Sequence, residues 1–157
     1  LLEDTEIGTL ARTDLADILQ EQVEGSIKQG AKVHFGNKRK NTYYQPTILT
    51  HVTNKMPVFK EETFGPVAAI IKVEDAEEAY KMVSDTKFGL GTMVFTKNVK
   101  DAKRRIIAID DGAFFINEMV KSDPRLPFGG TKNSGYGREL SREGILAFTN
   151  KKTVYIK

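Results

Sequence analysis

The stretch VAAIIKVEDAEEAYKMVSD, residues 67–85, sets the architecture. Residues 67–73 are almost continuously apolar, the pattern of a strand covered on both faces. Asp75 then offers a side-chain cap to a helix running to about residue 85, with Ala76, Ala79, Tyr80 and Val83 on one side. Next come a strand in GTMVFT (91–96), a helix over 99–109 capped by Asn98, and a strand in GAFFI (112–116). Strand, helix, strand, helix, strand predicts an α/β fold with a parallel sheet.

Upstream, Leu15, Ile18, Leu19, Val23 and Ile27 recur at helical spacing over 14–29, and Gly30 makes a C-terminal stop. AKVHF (31–35) alternates like a strand, GNKRKNT is a polar turn, and YYQPTIL (43–49) reads as an extended edge segment because Pro46 cannot donate to a central ladder. The opening LLEDTEIGTLAR has no period and no initiator methionine, and reads as a segment of something longer. Downstream lies a long loop over 117–137, placed after the C-terminal end of a strand, where open α/β sheets hold their ligands. A helix over 138–148 and a final strand, TVYIK (153–157), complete the chain.

The 157 residues suffice for one domain burying about 70% of its unfolded surface. Hydrophobic residues at 39% and charged residues at 29% mark a globular rather than a disordered chain. No apolar run approaches the ~18 residues of a membrane helix, and a cytoplasmic address follows by default. The basic runs NKRK (37–40) and KRR (103–105) carry no interleaved aromatics, so they read as a polar loop and a solvent face rather than a nucleic-acid patch. Cysteine is absent, which excludes disulfides, thiolate metal sites and a cysteine nucleophile within this chain. His34 and His51 read as surface or strand-end side chains rather than metal ligands.

The glycine-rich LPFGGTKNSGYGREL (126–140) raises the question of a phosphate cradle. The P-loop pattern fails, since Gly135 and Gly137 are followed by Tyr136 and Arg138 rather than lysine. The dinucleotide pattern fails as well, with Leu140 at its third position, as does GLG at 89–91. These glycines instead permit a sharply wound loop and close backbone packing.

Three motifs in order, EETFGPV (61–67), FGLGTMVFT (88–96) and PFGGTKNSGYGREL (127–140), resemble the C-terminal part of the aldehyde dehydrogenase superfamily. NEMVKSDPRLPFGG (117–130) is similar more narrowly to its succinate-semialdehyde dehydrogenase branch. The resemblance runs the length of the chain. It implies part of a catalytic domain with a parallel α/β sheet over 1–150, and an oligomerisation strand over 151–157 that joins a neighbouring subunit.

By that resemblance, Glu62 hydrogen-bonds the ribose on the nicotinamide side of NAD or NADP, and Phe64 packs near the nicotinamide ring. From the residues alone these are a surface glutamate and a core phenylalanine. Phe128 corresponds to an aromatic lining the aldehyde tunnel. Glu139 matches a carboxylate that relays protons to the general base, or is an acid in a helix first turn favoured by the dipole. Arg138 and Lys152 resemble charges tying the last helix to its neighbours, and Asn150 stands where the family often has glutamate. Ser122 lies where the succinate-semialdehyde branch contacts substrate. Arg125 either holds the distal carboxylate, which a guanidinium fork matches, or is a solvated loop charge.

In the resembled family the nucleophilic cysteine, the general-base glutamate and the cofactor fold all precede this region. Two expectations follow: an aldehyde dehydrogenase part that is inactive alone, or a non-catalytic assembly or binding module. Neither implies a nucleic-acid or membrane partner.

Overall fold

A computed structural model describes residues 5–157; residues 1–4 of the opening LLEDTEIGTLAR lie outside it. The chain divides between residues 74 and 75 into two compact units.

In the first unit, helix α1 spans Thr13–Lys28, with Asp14 in its first turn and Lys28 in its last, each matched to the helix dipole. It ends at Gly30, whose φ of 109° only glycine adopts cheaply. The Gly30 and Ala31 N–H groups close back onto the Ile27 and Ser26 carbonyls at 2.9 and 3.0 Å, a Schellman stop. Strand β1 (Lys32–Phe35), the short β2 (Arg39–Lys40) and β3 (Tyr43–Tyr44), and β4 (Thr47–Thr50) follow. Next come helix α2 (Pro57–Lys60), opened by proline at its first position, and β5 (Val67–Ala69).

The sheet order is β1-β4-β5, with β4 antiparallel to β1 and parallel to β5. The expected edge segment over 43–49 is thus corrected. It breaks at Pro46, and its second half is the central strand. Pro46 is harmless because the ladder begins one residue later, where the Thr47 N–H donates to the Pro66 carbonyl at 2.8 Å. Leu19, Val23, Tyr44, Leu49, Val52, Met56 and Val58 form the core.

The second unit holds α3 (Ala76–Ser84), β6 (Phe88–Gly89), β7 (Thr92–Val94) and α4 (Val99–Arg105), which tightens into a 3₁₀ turn over Ile106–Ala108. β8 (Phe114–Ile116), β9 (Thr131–Lys132) and α5 (Ser141–Leu146) complete it. Both expected caps are present: Asp75 accepts from the Glu78 N–H at 2.8 Å and Asn98 from that of Asp101 at 3.1 Å. β7 and β8 pair in parallel, and β6 pairs antiparallel with β9.

The fold is mixed α/β, but the three strands expected to share one parallel sheet do not. β5 takes β4 as its neighbour, whereas β7 takes β8. The expected strand at 67–73 is also shorter, ending at Ala69, with Ala68, Ala69 and Ile70 exposed. Residues 153–157 form no strand and are exposed, since a strand exists only through its ladder and no described segment pairs with them. Among the described residues of this unit, the buried hydrophobic side chains are Ala102 and Ile109.

Candidate functional site

In the first unit the chain from Glu61 to Pro66 belongs to no helix or ladder and bends at Glu61, Gly65 and Pro66. Its course is fixed from below by one face of α1, where residues 19, 22 and 26 stack at helical spacing. The Ser26 hydroxyl accepts from the Val58 N–H at 3.2 Å. The Gln22 amide donates to the Glu62 carbonyl at 3.1 Å and to a Glu61 carboxylate oxygen at 3.0 Å. Leu19 lies so close to Gly65 that a Cβ there would sit 2.4 Å from its Cδ2.

Of the two adjacent glutamates, Glu61 is therefore committed to Gln22. The Glu62 carboxylate is exposed and has no hydrogen bond or ion pair to another described residue. Phe64, read from the residues alone as core, is 64% exposed. An unengaged acceptor and a bare aromatic ring two residues apart fit the diol and ring of a nucleoside. The residues present thus suit one end of a dinucleotide.

In the second unit, the loop over 117–140 closes through a bridge between Phe128 and Glu139. Phe128 and Glu139 line an open cleft of about 470 Å³ with Leu90, Gly130 and Tyr136. Glu139 and Arg138 also line a second cleft of about 530 Å³ against Pro124, Ser141 and Phe148. The helix expected from residue 138 begins at Ser141, after positive φ at Leu140 (62°) and Ser141 (52°). Glu139 is thus no first-turn acid; that position belongs to Glu143.

Arg138 makes no hydrogen bond to the last helix among the described residues. Its guanidinium donates to the Gly130 and Gly137 carbonyls at 3.0 and 2.6 Å, which holds the glycine loop wound. Lys152 and Asn150 are exposed in the terminal stretch.

Ser122 is exposed and, with Arg125, lines neither cleft. Arg125 grips Asp123 with two bonds of 2.9 and 2.7 Å, and the Arg125 N–H adds a third at 2.9 Å. This clamp holds the Asp123 carboxyl far below the usual carboxylate range. Neither the Asp123 clamp nor the Gln22 platform was read from the sequence. Gln22 and Ser26 did carry a signal, since both fall on the apolar stripe of α1.

The basic runs are partly neutralised: Arg39 pairs with Asp17, and Arg105 with Asp101 and Glu77. His34 and His51 are exposed, and no group of three or more possible metal ligands occurs among the described residues. Nor is any described helix long and apolar enough to cross a membrane.

Residues 1–154 match the model of the aldehyde dehydrogenase family. The chain belongs to that family. It is 46% identical over 158 residues to a probable NADP-dependent succinate-semialdehyde dehydrogenase of Synechocystis, covering 99% of this chain and 35% of that relative. With the succinate semialdehyde dehydrogenase Sad of Escherichia coli it shares 43% identity over 156 residues, covering 98% and 34%. The crystal structure of a succinic semialdehyde dehydrogenase from Streptococcus pyogenes in complex with NADP⁺ superposes with a TM-score of 0.90 at 35% identity, covering 99% of this chain and 35% of that one. The chain thus spans about a third of the length of these relatives.

Proposed function

We propose that the chain is the C-terminal part of an NAD(P)-dependent dehydrogenase that oxidises succinic semialdehyde to the dicarboxylic acid. The observation that carries this reading is the similarity, through nearly all its residues, to relatives named for that substrate. Bound nicotinamide supplies a hydride acceptor. The residues of this chain bind and orient. The Glu62 carboxylate accepts from ribose hydroxyls, and Phe64 offers its ring to the nicotinamide. Phe128 walls the aldehyde passage, and Glu139 holds a proton for transfer to the general base. Ser122 and Arg125 meet the distal carboxylate, for which Arg125 exchanges its bond to Asp123.

The nucleophilic cysteine, the general base and the pyrophosphate site belong to sequence outside this chain, so the chain alone is inactive. Residues 151–157 form an oligomerisation strand once a partner supplies the ladder. A second reading, a non-catalytic assembly module, draws on the exposure of Val154, Tyr155 and Ile156.

A chimera in which this chain replaces the matching segment of the Synechocystis relative tests the first reading. It should reduce NADP⁺ with succinic semialdehyde at a rate comparable to the relative. A folded chimera without activity would leave the assembly reading standing.

A further inference from the structure

We infer that Gln22 is a positioning residue for the cofactor contact of Glu62; the inference rests on the role given to Glu62 above. Gln22 lies on the buried face of α1 and is 5% exposed, where an apolar side chain would pack at lower cost. Its Oε1 is buried without a hydrogen-bond partner among the described residues, a standing penalty. Packing alone therefore does not account for an amide at this position.

The other end of the side chain does. Nε2 spends its donors on the Glu61 carboxylate and the Glu62 carbonyl, in a segment that has no ladder of its own. With Gly65 seated against Leu19, both ends of the short run from Glu62 to Gly65 are pinned to one rigid helix. The residues between the pins carry the outward-facing carboxylate and ring. Gln22 also engages Glu61, so that of two exposed carboxylates one is hydrogen-bonded and the other is left for a ligand. A contact group held in place before binding loses less freedom when ligand arrives.

The test uses the chimera described above. Gln22→Met keeps the volume, removes both donors and also removes the unpartnered oxygen, so the melting temperature should stay nearly constant. NADP⁺ affinity, read by quenching of protein fluorescence, should weaken about five- to ten-fold, the size of one ordinary hydrogen bond. The kcat at saturating cofactor should hold. Amide hydrogen exchange at 61–65 should quicken in the cofactor-free protein. In a Glu62→Ala background, Gln22→Met should weaken affinity no further.

If Glu62→Ala weakens affinity and Gln22→Met does not, Gln22 is a packing residue and the inference is overturned. If Glu62→Ala leaves affinity intact, the role of Glu62 fails first and this inference with it. Should Gln22→Met not fold, Gln22→Asn carries the same comparison, since it withdraws the amide from both acceptors.

Discussion

The backbones of Phe128 and Glu139 exchange both hydrogen bonds, from the Phe128 N–H at 2.9 Å and from the Glu139 N–H at 2.8 Å. In such a pair the two side chains leave on the same side. That is how an aromatic ring and a carboxylate from opposite ends of a glycine loop come to line one cleft. Arg138, gripping two loop carbonyls, keeps the loop closed.

Gly112 packs directly under this loop. A Cβ at Gly112 would lie 1.6 Å from the Gly129 carbonyl oxygen. Overpacking of backbone against backbone has no side chain to yield, so Gly112→Ala should cost at least about 2 kcal/mol. Urea denaturation reads this; an unshifted midpoint would mean the contact is slack.

Freeing Arg125 should sharpen substrate recognition. With Asp123→Asn in the chimera, the guanidinium no longer has a competing carboxylate. The KM for succinic semialdehyde should fall several-fold while that for butanal stays constant. A parallel change for both aldehydes would place Arg125 outside the substrate site.

Burial raises the Tyr44 phenol above its ordinary value of 10.0, with the negative charge of Glu24 adding to the effect. The neutral form is therefore favoured in the fold. Its contribution to stability is complete below about pH 10, where the unfolded phenol titrates, and is lost as pH rises through the higher folded value. Tyr44→Phe should lose the hydrogen bond to Asn37, 3.0 Å in the wild type, and should flatten the alkaline fall in stability. Denaturation midpoints between about pH 8 and pH 11 decide it; an equally steep fall in the variant would assign the effect to another group.

The chain alone should neither oxidise succinic semialdehyde nor bind NAD(P) tightly. Glu62 and Phe64 cannot offset the ordering of a dinucleotide whose pyrophosphate has no seat. Absorbance of reduced cofactor and titration calorimetry test the two halves of this statement. Micromolar affinity would show that the chain holds more of the site than its motifs indicate.

Self-association should be reduced by deleting 153–157. Val154, Tyr155 and Ile156 are 71%, 83% and 86% exposed, and their backbone is open to pairing with any strand edge. Light scattering on the two chains at equal concentration gives the answer, and a monomeric intact chain would count against it.

The parts of this fold legible in the sequence are those whose signals are local. The caps at Asp75 and Asn98, the stripe of α1 and its stop at Gly30 depend on neighbours within a few residues. What failed depended on partners that no local pattern names. VAAIIKV reads as a strand covered on both faces, yet Ile70 lies half bare. TVYIK has the composition of a strand but no ladder. Gln22 was passed over because a polar residue on an apolar stripe looks like noise until its acceptors, some forty residues away, are seen. The roles proposed for Glu62 and Glu139 rest on family resemblance; no periodicity points to them.

The uneven distribution of buried side chains between the units has a consequence for opening and cleavage. Where Leu19, Tyr44 and Leu49 interlock, amides are released only by cooperative opening of that unit. Where Ala102 and Ile109 stand nearly alone, small fluctuations suffice. A protease offered this chain would meet cleavable conformations first beyond residue 75, and would leave the first unit as the resistant product.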